Sequence, residues 1–261
     1  MRGAGFLCNG AGATMRSVSR RRRRPEENRL ELYLDPVATT SRAVLAMCRH
    51  ERIEVTLRPV SLMKGEHYEP AFAALNPNRL VPVLVDGDLV LTESSAILRY
   101  LARKRGSALY PAGAREAARV DELIGWFESN FYRDFGYQYV YPQLMPHHRR
   151  ASDESTQATV QWGREHANRW LGVLDGHFLK HRKRYLLGEQ LSIADFHGAS
   201  IVSLGQLVGC GFEGFANVQR WCAALDELES WRSANAEFRG FVQSLQGQRF
   251  VPLGADHARA A

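Results

Sequence analysis

Residues 78–97 constrain the fold more than any other stretch of this chain. They run Asn78-Arg79-Leu80-Val81-Pro82-Val83-Leu84-Val85-Asp86-Gly87-Asp88-Leu89-Val90-Leu91-Thr92-Glu93-Ser94-Ser95-Ala96-Ile97. The pattern predicts a strand, a tight turn, a second strand and the start of a helix. Asp86-Gly87 between two aliphatic runs is a strong two-residue hairpin signal. Pro82 removes a ladder donor at the strand entry, which places it at a sheet edge, a bulge or a cis turn. Thr92 is positioned to cap the helix that follows. The first turn, Glu93-Ser94-Ser95, then offers free N–H groups and hydroxyls to an anion.

The flanking segments supply the rest of a sheet. Residues 30–34 (Leu-Glu-Leu-Tyr-Leu) alternate like a strand, and Asp35-Pro36 breaks it. Thr40-Ser41 can cap a helix running through Ala43, Val44, Met47 and Cys48. A second strand is expected over about 53–60 and a short helix over about 68–75. The order β-α-β-α-β-β-α contains a right-handed β-α-β crossover.

Tyr110-Pro111-Ala112-Gly113 reads as a linker, and almost everything beyond it reads as helix. One long helix is expected over 114–139, interrupted near Gly136 and ended by Tyr141-Pro142. Others are expected over 153–181, 217–229 and 234–245. Ser192-Ile193-Ala194-Asp195 is a variant capping box with Leu191 and Phe196 at the staple positions, a folding signal rather than a chemical one. The expected organisation is an extension over 1–29, an α/β domain over 30–107 and an all-helical domain over 114–250.

The net charge of +6 belongs to the first 25 residues, which hold seven arginines (Arg2, Arg16 and Arg20 through Arg24) and no acid. Without them the chain carries 27 basic and 28 acidic residues. The body therefore gives no reason to expect a nucleic-acid partner. The extension reads either as a plain unstructured tail, with Met15 as an alternative start, or as an organellar transit peptide. No apolar run approaches a membrane span, which predicts a soluble chain with no membrane partner. Cys8, Cys48, Cys210 and Cys222 show no CxxC or metal-ligand spacing, which predicts reduced thiols, an intracellular setting and no metal.

The Val-Pro strand entry followed by Glu93-Ser94 resembles the glutathione site of cytosolic glutathione transferases, and 30–245 resembles their theta class and related bacterial proteins. The theta-like motifs are Leu30-Glu31-Leu32-Tyr33-Leu34-Asp35, Ser41-Arg42-Ala43-Val44, Lys64-Gly65-Glu66-His67, the run from Leu91 to Ile97, and Ala118-Arg119-Val120-Asp121-Glu122 with Trp126 after it. The resemblance implies a thioredoxin-like N-terminal domain, an all-α C-terminal domain, a cytoplasmic homodimer and a detoxifying activity. It implies that His67 reaches the glycyl carboxylate of glutathione and that Val81, beside a cis Pro82, offers backbone hydrogen bonds. Glu93 and Ser94 would hold the γ-glutamyl end, approached by Asp121 from a partner subunit. The chemistry is coherent, because glutathione carries two carboxylates and an ammonium. Taken singly, His67 reads as a loop histidine, Asp121 as a surface acid, and Glu93 and Ser95 as ordinary first-turn residues.

The departure from the resembled pattern that matters most lies at the start of the first helix. Theta-like enzymes place a serine after the first strand to hydrogen-bond the glutathione thiolate, and the alignment puts Ala38 there. Losing one charge-assisted donor costs on the order of 1.5–3 kcal/mol, about one to two pKa units on the bound thiol. Thr39, Thr40 and Ser41 supply nearby hydroxyls. Thr39 is the first candidate for a displaced catalytic group, with Thr40 or Ser41 as the helix cap.

Aromatic residues crowd 126–141, and in the resembled family this helix lines the pocket for the second substrate. Trp126, Phe131 and Phe135 are the expected pocket residues for a small hydrophobic electrophile, most of the others being core. His147-His148 reads as a solvated loop, and His177 and His181, among Lys180, Arg182, Lys183 and Arg184, as a cationic exposed face. The expected reaction is attack of the glutathione thiolate on an apolar electrophile. The alternatives are glutathione-dependent reduction of a peroxide or disulfide, and a non-catalytic ligand-binding protein of the same fold.

Overall fold

The computed structural model describes residues 30–254. The arginine-rich extension, Cys8 and Met15 lie outside the described residues. A four-stranded mixed sheet has the order β2-β1-β3-β4. Its strands are β1 (Glu31–Leu34), β2 (Thr56–Pro59), β3 (Val83–Asp86) and β4 (Leu89–Leu91). β1 and β2 pair in parallel with Leu34 opposite Pro59, and β3 runs antiparallel to β1 with Tyr33 opposite Val83. β4 returns antiparallel to β3 with Asp86 opposite Leu89. The two turn residues are thus Gly87-Asp88, one position later than the Asp-Gly signal suggests. Gly87 has φ +64°, a left-handed conformation that glycine adopts without steric cost.

β1 alternates as its sequence does, with Leu32 and Leu34 buried. They pack under α1 (Thr39–His50) and α3 (Ser94–Arg105) in a core that continues into the helical half. The opposite face is a small cluster of Val60, Phe72, Val81 and Val83, with Ala38 packed against it. Phe72 comes from α2 (Pro70–Leu75), which follows a separate 3₁₀ turn at Glu66–Tyr68. Helix therefore begins two residues before the expected 68–75 segment and divides at Glu69. β2 is shorter than the 53–60 segment.

The helical half opens with α4 (Ala114–Trp126). Its continuation is not interrupted at Gly136 but widens into π-helical turns at Phe127–Tyr132 and Phe135–Val140. α5 (Tyr141–Leu144) follows directly and carries Pro142, so the helix runs past Tyr141-Pro142 rather than ending there. Gly136 is there for close approach: an added Cβ would lie 2.5 Å from the Tyr132 ring. α6 (Asp153–Val173) passes through another π turn, Leu174–Phe178, before ending in a short 3₁₀ turn.

Every residue of α7 (Ile193–Val202) is buried, so this helix is the centre of the fold. The Asp195 carboxylate starts it. Its oxygens accept from Ser192 N and Oγ at 2.8 Å, Leu186 N at 2.9 Å and Trp221 Nε1 at 2.9 Å. Burial raises the Asp195 pKa against the opposing effect of those donors. α8 (Ala216–Asp226), α9 (Glu229–Ala234) and α10 (Ala236–Ser244) replace the two longer helices read from periodicity.

The two halves are joined through Arg42. Its side chain is fully buried, donates to Ser203 Oγ at 3.0 Å, to Asn235 Oδ1 and to the Ser200 carbonyl at 3.1 Å, and lies 3.7 Å over the Phe238 ring. Burial lowers its pKa to about 9. No helix among the described residues is long and apolar enough to cross a membrane.

Candidate functional site

Strand polarity assembles the site. β1 and β2 end at the edge of the sheet where β3 begins and β4 ends. That edge therefore collects the α1 N-terminus after β1, the loop with His67 after β2, Val81-Pro82 before β3, and Glu93-Ser94 after β4. The Val81–Pro82 peptide is cis, although β3 is an interior strand. Of the three positions open to this proline, the structure takes the cis turn.

Both helix starts at this edge lack side-chain caps. The cap position of α1 is Ala38 itself, in an extended conformation with no side-chain hydrogen bond, and no acid stands in the first turn. Thr40 and Ser41 are not the cap. Thr40 Oγ1 instead donates to the Val81 carbonyl at 3.0 Å, and the buried Ser41 hydroxyl has no hydrogen-bond partner among the described residues. The cap of α3 is Glu93 rather than Thr92, again without a side-chain bond. Glu93 holds φ +62°, a left-handed backbone that costs a non-glycine residue on the order of 1 kcal/mol. Two uncapped N-termini on one edge leave first-turn N–H groups and two positive dipole ends for an anionic ligand.

The loop between β1 and α1 is pinned by Asp35. One carboxylate oxygen accepts Val37 N and the other Leu62 N, both at 2.9 Å. Ser94 and Ser95 are buried and Glu93 is exposed. His67 is half-buried, lies with its ring tilted 4.0 Å from the Tyr68 ring centroid, and has a buried Nδ1 with no hydrogen-bond partner among the described residues. Its pKa is lowered, first by burial and then by His147 and Arg79, which favours a neutral ring. Asp121 is paired within its own chain. It accepts from Arg99 Nε at 2.6 Å and from Tyr110 OH at 2.9 Å.

The aromatic segment sorts differently from the expected pocket. Phe131 and Phe135 are fully buried with Phe127 and Tyr139, so they are core residues and not an open lining. An α-helix overshoots by about 40° for every four residues. The π turns absorb that drift, so an i+4 aromatic stripe stays on the inward face. Trp126 is half-buried on another side, against the rings of Phe127, Phe131, Trp170 and Phe178.

The rings that do approach the α1 start are Tyr132, Tyr137, Tyr141 and His148. Tyr141 lies 5.3 Å from Tyr137 and 5.0 Å from His148, centroid to centroid. His147-His148 is therefore not simply a solvated loop, since His148 is half-buried and its pKa is lowered mainly by burial. Thr39 is 5% exposed, with Oγ1 at 3.0 Å from Tyr141 OH, which lies 2.8 Å from Tyr132 OH. Burial pushes Tyr141 up to about 12 and Tyr132 well above its ordinary value, so both are protonated near neutrality. The sequence signal for these tyrosines was their offset from the 127/131/135/139 stripe, by one residue for Tyr132 and two for Tyr137 and Tyr141. Tyr141-Pro142 had the look of a helix stop.

Two segments of the chain match family models: residues 31–103 match the glutathione S-transferase N-terminal domain and residues 132–229 the C-terminal domain. The rat theta-2 glutathione S-transferase is 35% identical over 240 residues, covering 89% of this chain and 96% of that protein. The chain belongs to the glutathione S-transferase family. The bovine theta-1 enzyme is also similar to this transferase, 37% identical over 201 residues that cover 74% of this chain and 80% of that protein. The solved human theta-2 enzyme, in complex with glutathione and an unknown ligand, is 28% identical with a TM-score of 0.71. It covers 85% of this chain and 93% of that one. The transferase fold, with its thioredoxin-like half and helical half, is the one expected from the theta-like motifs.

Among the described residues of this transferase, no group of three or more His, Cys, Asp or Glu side chains could hold a metal ion. His177 lines a cleft of about 320 Å³ with Arg119, Lys180 and Lys183. Cys48 is a core residue whose thiol burial raises to about 12, and burial raises the Cys210 and Cys222 thiols to about 11 and 12.

Proposed function

We propose that this glutathione transferase binds glutathione at the sheet edge and delivers its thiolate to a small hydrophobic electrophile. The observation that carries the reading is the uncapped start of α1, with the Thr39 hydroxyl in its first turn and Val81 bridged to Thr40 at its side. A thiolate there meets free N–H groups and a positive helix end in place of the serine that Ala38 has replaced. His67, Val81, Pro82, Glu93 and Ser94 hold the rest of glutathione, with His67 as a donor to the glycyl carboxylate. The Tyr132, Tyr137, Tyr141 and His148 cluster faces the electrophile. The active form is a homodimer in which Asp121 reaches across to the partner's glutathione. The setting is cytoplasmic, or organellar if the arginine-rich extension is a transit peptide. Glutathione acts as co-substrate, and the chemistry needs no metal.

The test is the thiol pKa of glutathione bound to the purified protein, from thiolate ultraviolet absorbance against pH. Depression well below that of free glutathione, with turnover of an aryl halide probe, supports conjugation. Depression with turnover of a peroxide or disulfide alone moves the reading to reduction. Binding without depression moves it to a non-catalytic ligand-binding protein, which Ala38 favours. No binding refutes the reading.

A further inference from the structure

We propose that Tyr141 and Tyr132 are positioning residues for the thiolate, forming with Thr39 a three-hydroxyl chain that aims the Thr39 proton at the glutathione sulfur. The inference rests on the functional reading above and adds to it the device that compensates for Ala38.

The three hydroxyls meet at Tyr141, with Thr39 Oγ1 to Tyr141 OH at 3.0 Å and Tyr141 OH to Tyr132 OH at 2.8 Å. Each hydroxyl carries one proton. Two links use two protons, so one proton is left free: on Tyr132, on Thr39, or on Tyr141 when Tyr141 accepts from both neighbours, and only the second places it at the α1 start. If donation runs from Thr39 toward Tyr132, the free proton is on Tyr132, among rings. If it runs from Tyr132 toward Thr39, the free proton is on Thr39, in the first turn of α1. An anion at that helix start selects the second direction.

This direction is open to both tyrosines. The Tyr132 and Tyr141 hydroxyls are held protonated by burial, so each remains a donor. Hydrogen bonds in a row also polarise one another, so a Thr39 hydroxyl that accepts from Tyr141 is a better donor than an isolated threonine. Only hydroxyl orientations change along the chain, and no proton passes from one residue to another. The thiol proton leaves to solvent when glutathione binds as thiolate. The chain also crosses the two halves of the fold, since Thr39 lies in α1 and both tyrosines lie beyond α4. The sequence places these partners 102 positions apart.

The test compares Thr39→Val, Thr39→Ser, Tyr141→Phe, Tyr132→Phe and the double variant Thr39→Val with Tyr141→Phe, all as full chains. The readouts are the pKa of bound glutathione and kcat and KM with an aryl halide. Tyr141→Phe keeps the ring and its packing, and thermal melts confirm that each variant is folded. Expected are a bound-thiol ionisation constant about tenfold weaker in Thr39→Val and about threefold weaker in Tyr141→Phe, with a smaller step in Tyr132→Phe. The losses appear in kcat while KM for glutathione is unchanged, and Thr39→Ser restores the unsubstituted values. Tyr141→Phe has no further effect once Thr39 is valine. The inference is overturned if Tyr141→Phe, folded, leaves the bound-thiol pKa unchanged, or if its effect is undiminished in the valine background. In those cases a depressed thiol in the unsubstituted protein still supports the functional reading. An undepressed thiol there removes both.

Discussion

The Arg42 guanidinium, in the first helix of the α/β half, donates to the Asn235 side chain 193 positions later, in the helical half. The pair is buried, and no carboxylate is among the guanidinium's hydrogen-bond partners. The cation is instead solvated by two neutral side-chain oxygens, a carbonyl and the Phe238 ring. Such a group contributes by fixing geometry, because the cost of burying it absorbs most of the attraction.

Arg42→Met should therefore destabilise the protein by about 3 kcal/mol, since it leaves Asn235 and Ser203 without their donor in a dry interface. Arg42→Lys should recover little, because a single ammonium cannot span partners that the planar fork spans. Urea unfolding reports both, as a lower midpoint with an unchanged slope.

Burial also leaves a pH signature at His197. This ring is buried, neither nitrogen has a hydrogen-bond partner among the described residues, and desolvation lowers its pKa to about 4. Glu128 Oε1, 3.6 Å from Nε2, favours the charged ring, but it is half-exposed and does not offset burial. A depressed histidine binds fewer protons in the folded than in the unfolded state between about pH 4 and the unfolded value near 6.5. Stability should therefore fall as pH drops through that window, by about 3 kcal/mol at most from this group, and be flat with respect to it above. His197→Gln should flatten the slope between pH 6.5 and 4 in denaturation series at fixed ionic strength.

Glutathione affinity should separate binding residues from the thiol-activating ones. His67→Ala removes a neutral donor at the sheet edge and Ser94→Ala a first-turn hydroxyl. Each should weaken glutathione binding about tenfold, corresponding to roughly 1.4 kcal/mol, with kcat at saturation nearly unchanged. Calorimetric titration and initial rates give the two quantities independently.

Two glycines should respond in opposite directions to alanine. A Cβ on Gly198, in the central helix, would lie 2.3 Å from the Phe127 ring, so Gly198→Ala should cost about 1–3 kcal/mol through overpacking. Gly240, on an exposed face of α10, has nothing within 4 Å of that position. Gly240→Ala should stabilise by about 0.5–1 kcal/mol through backbone entropy. Melting temperatures of the two variants check the contrast.

The sequence by itself determined the elements governed by short-range rules. Alternation at 30–34, the Val-Pro entry, the glycine-bearing hairpin turn and the Ser192-Asp195 box are set by neighbours within four residues. The residues collected at the sheet edge were legible for a related reason: each follows or precedes a strand, and the strand order then brings them together. What only the tertiary structure decided depended on partners far along the chain. Periodicity could not say that Phe131 and Phe135 face the core, because the π turns alter the phase that an α-helical reading assumes. Nor could it show that α1 would start uncapped at Ala38, since Thr40 is drawn to the Val81 carbonyl and Thr39 to Tyr141. A hydroxyl takes the best hydrogen-bond partner within reach, and across 102 residues only the packing of one half on the other determines which partner that is.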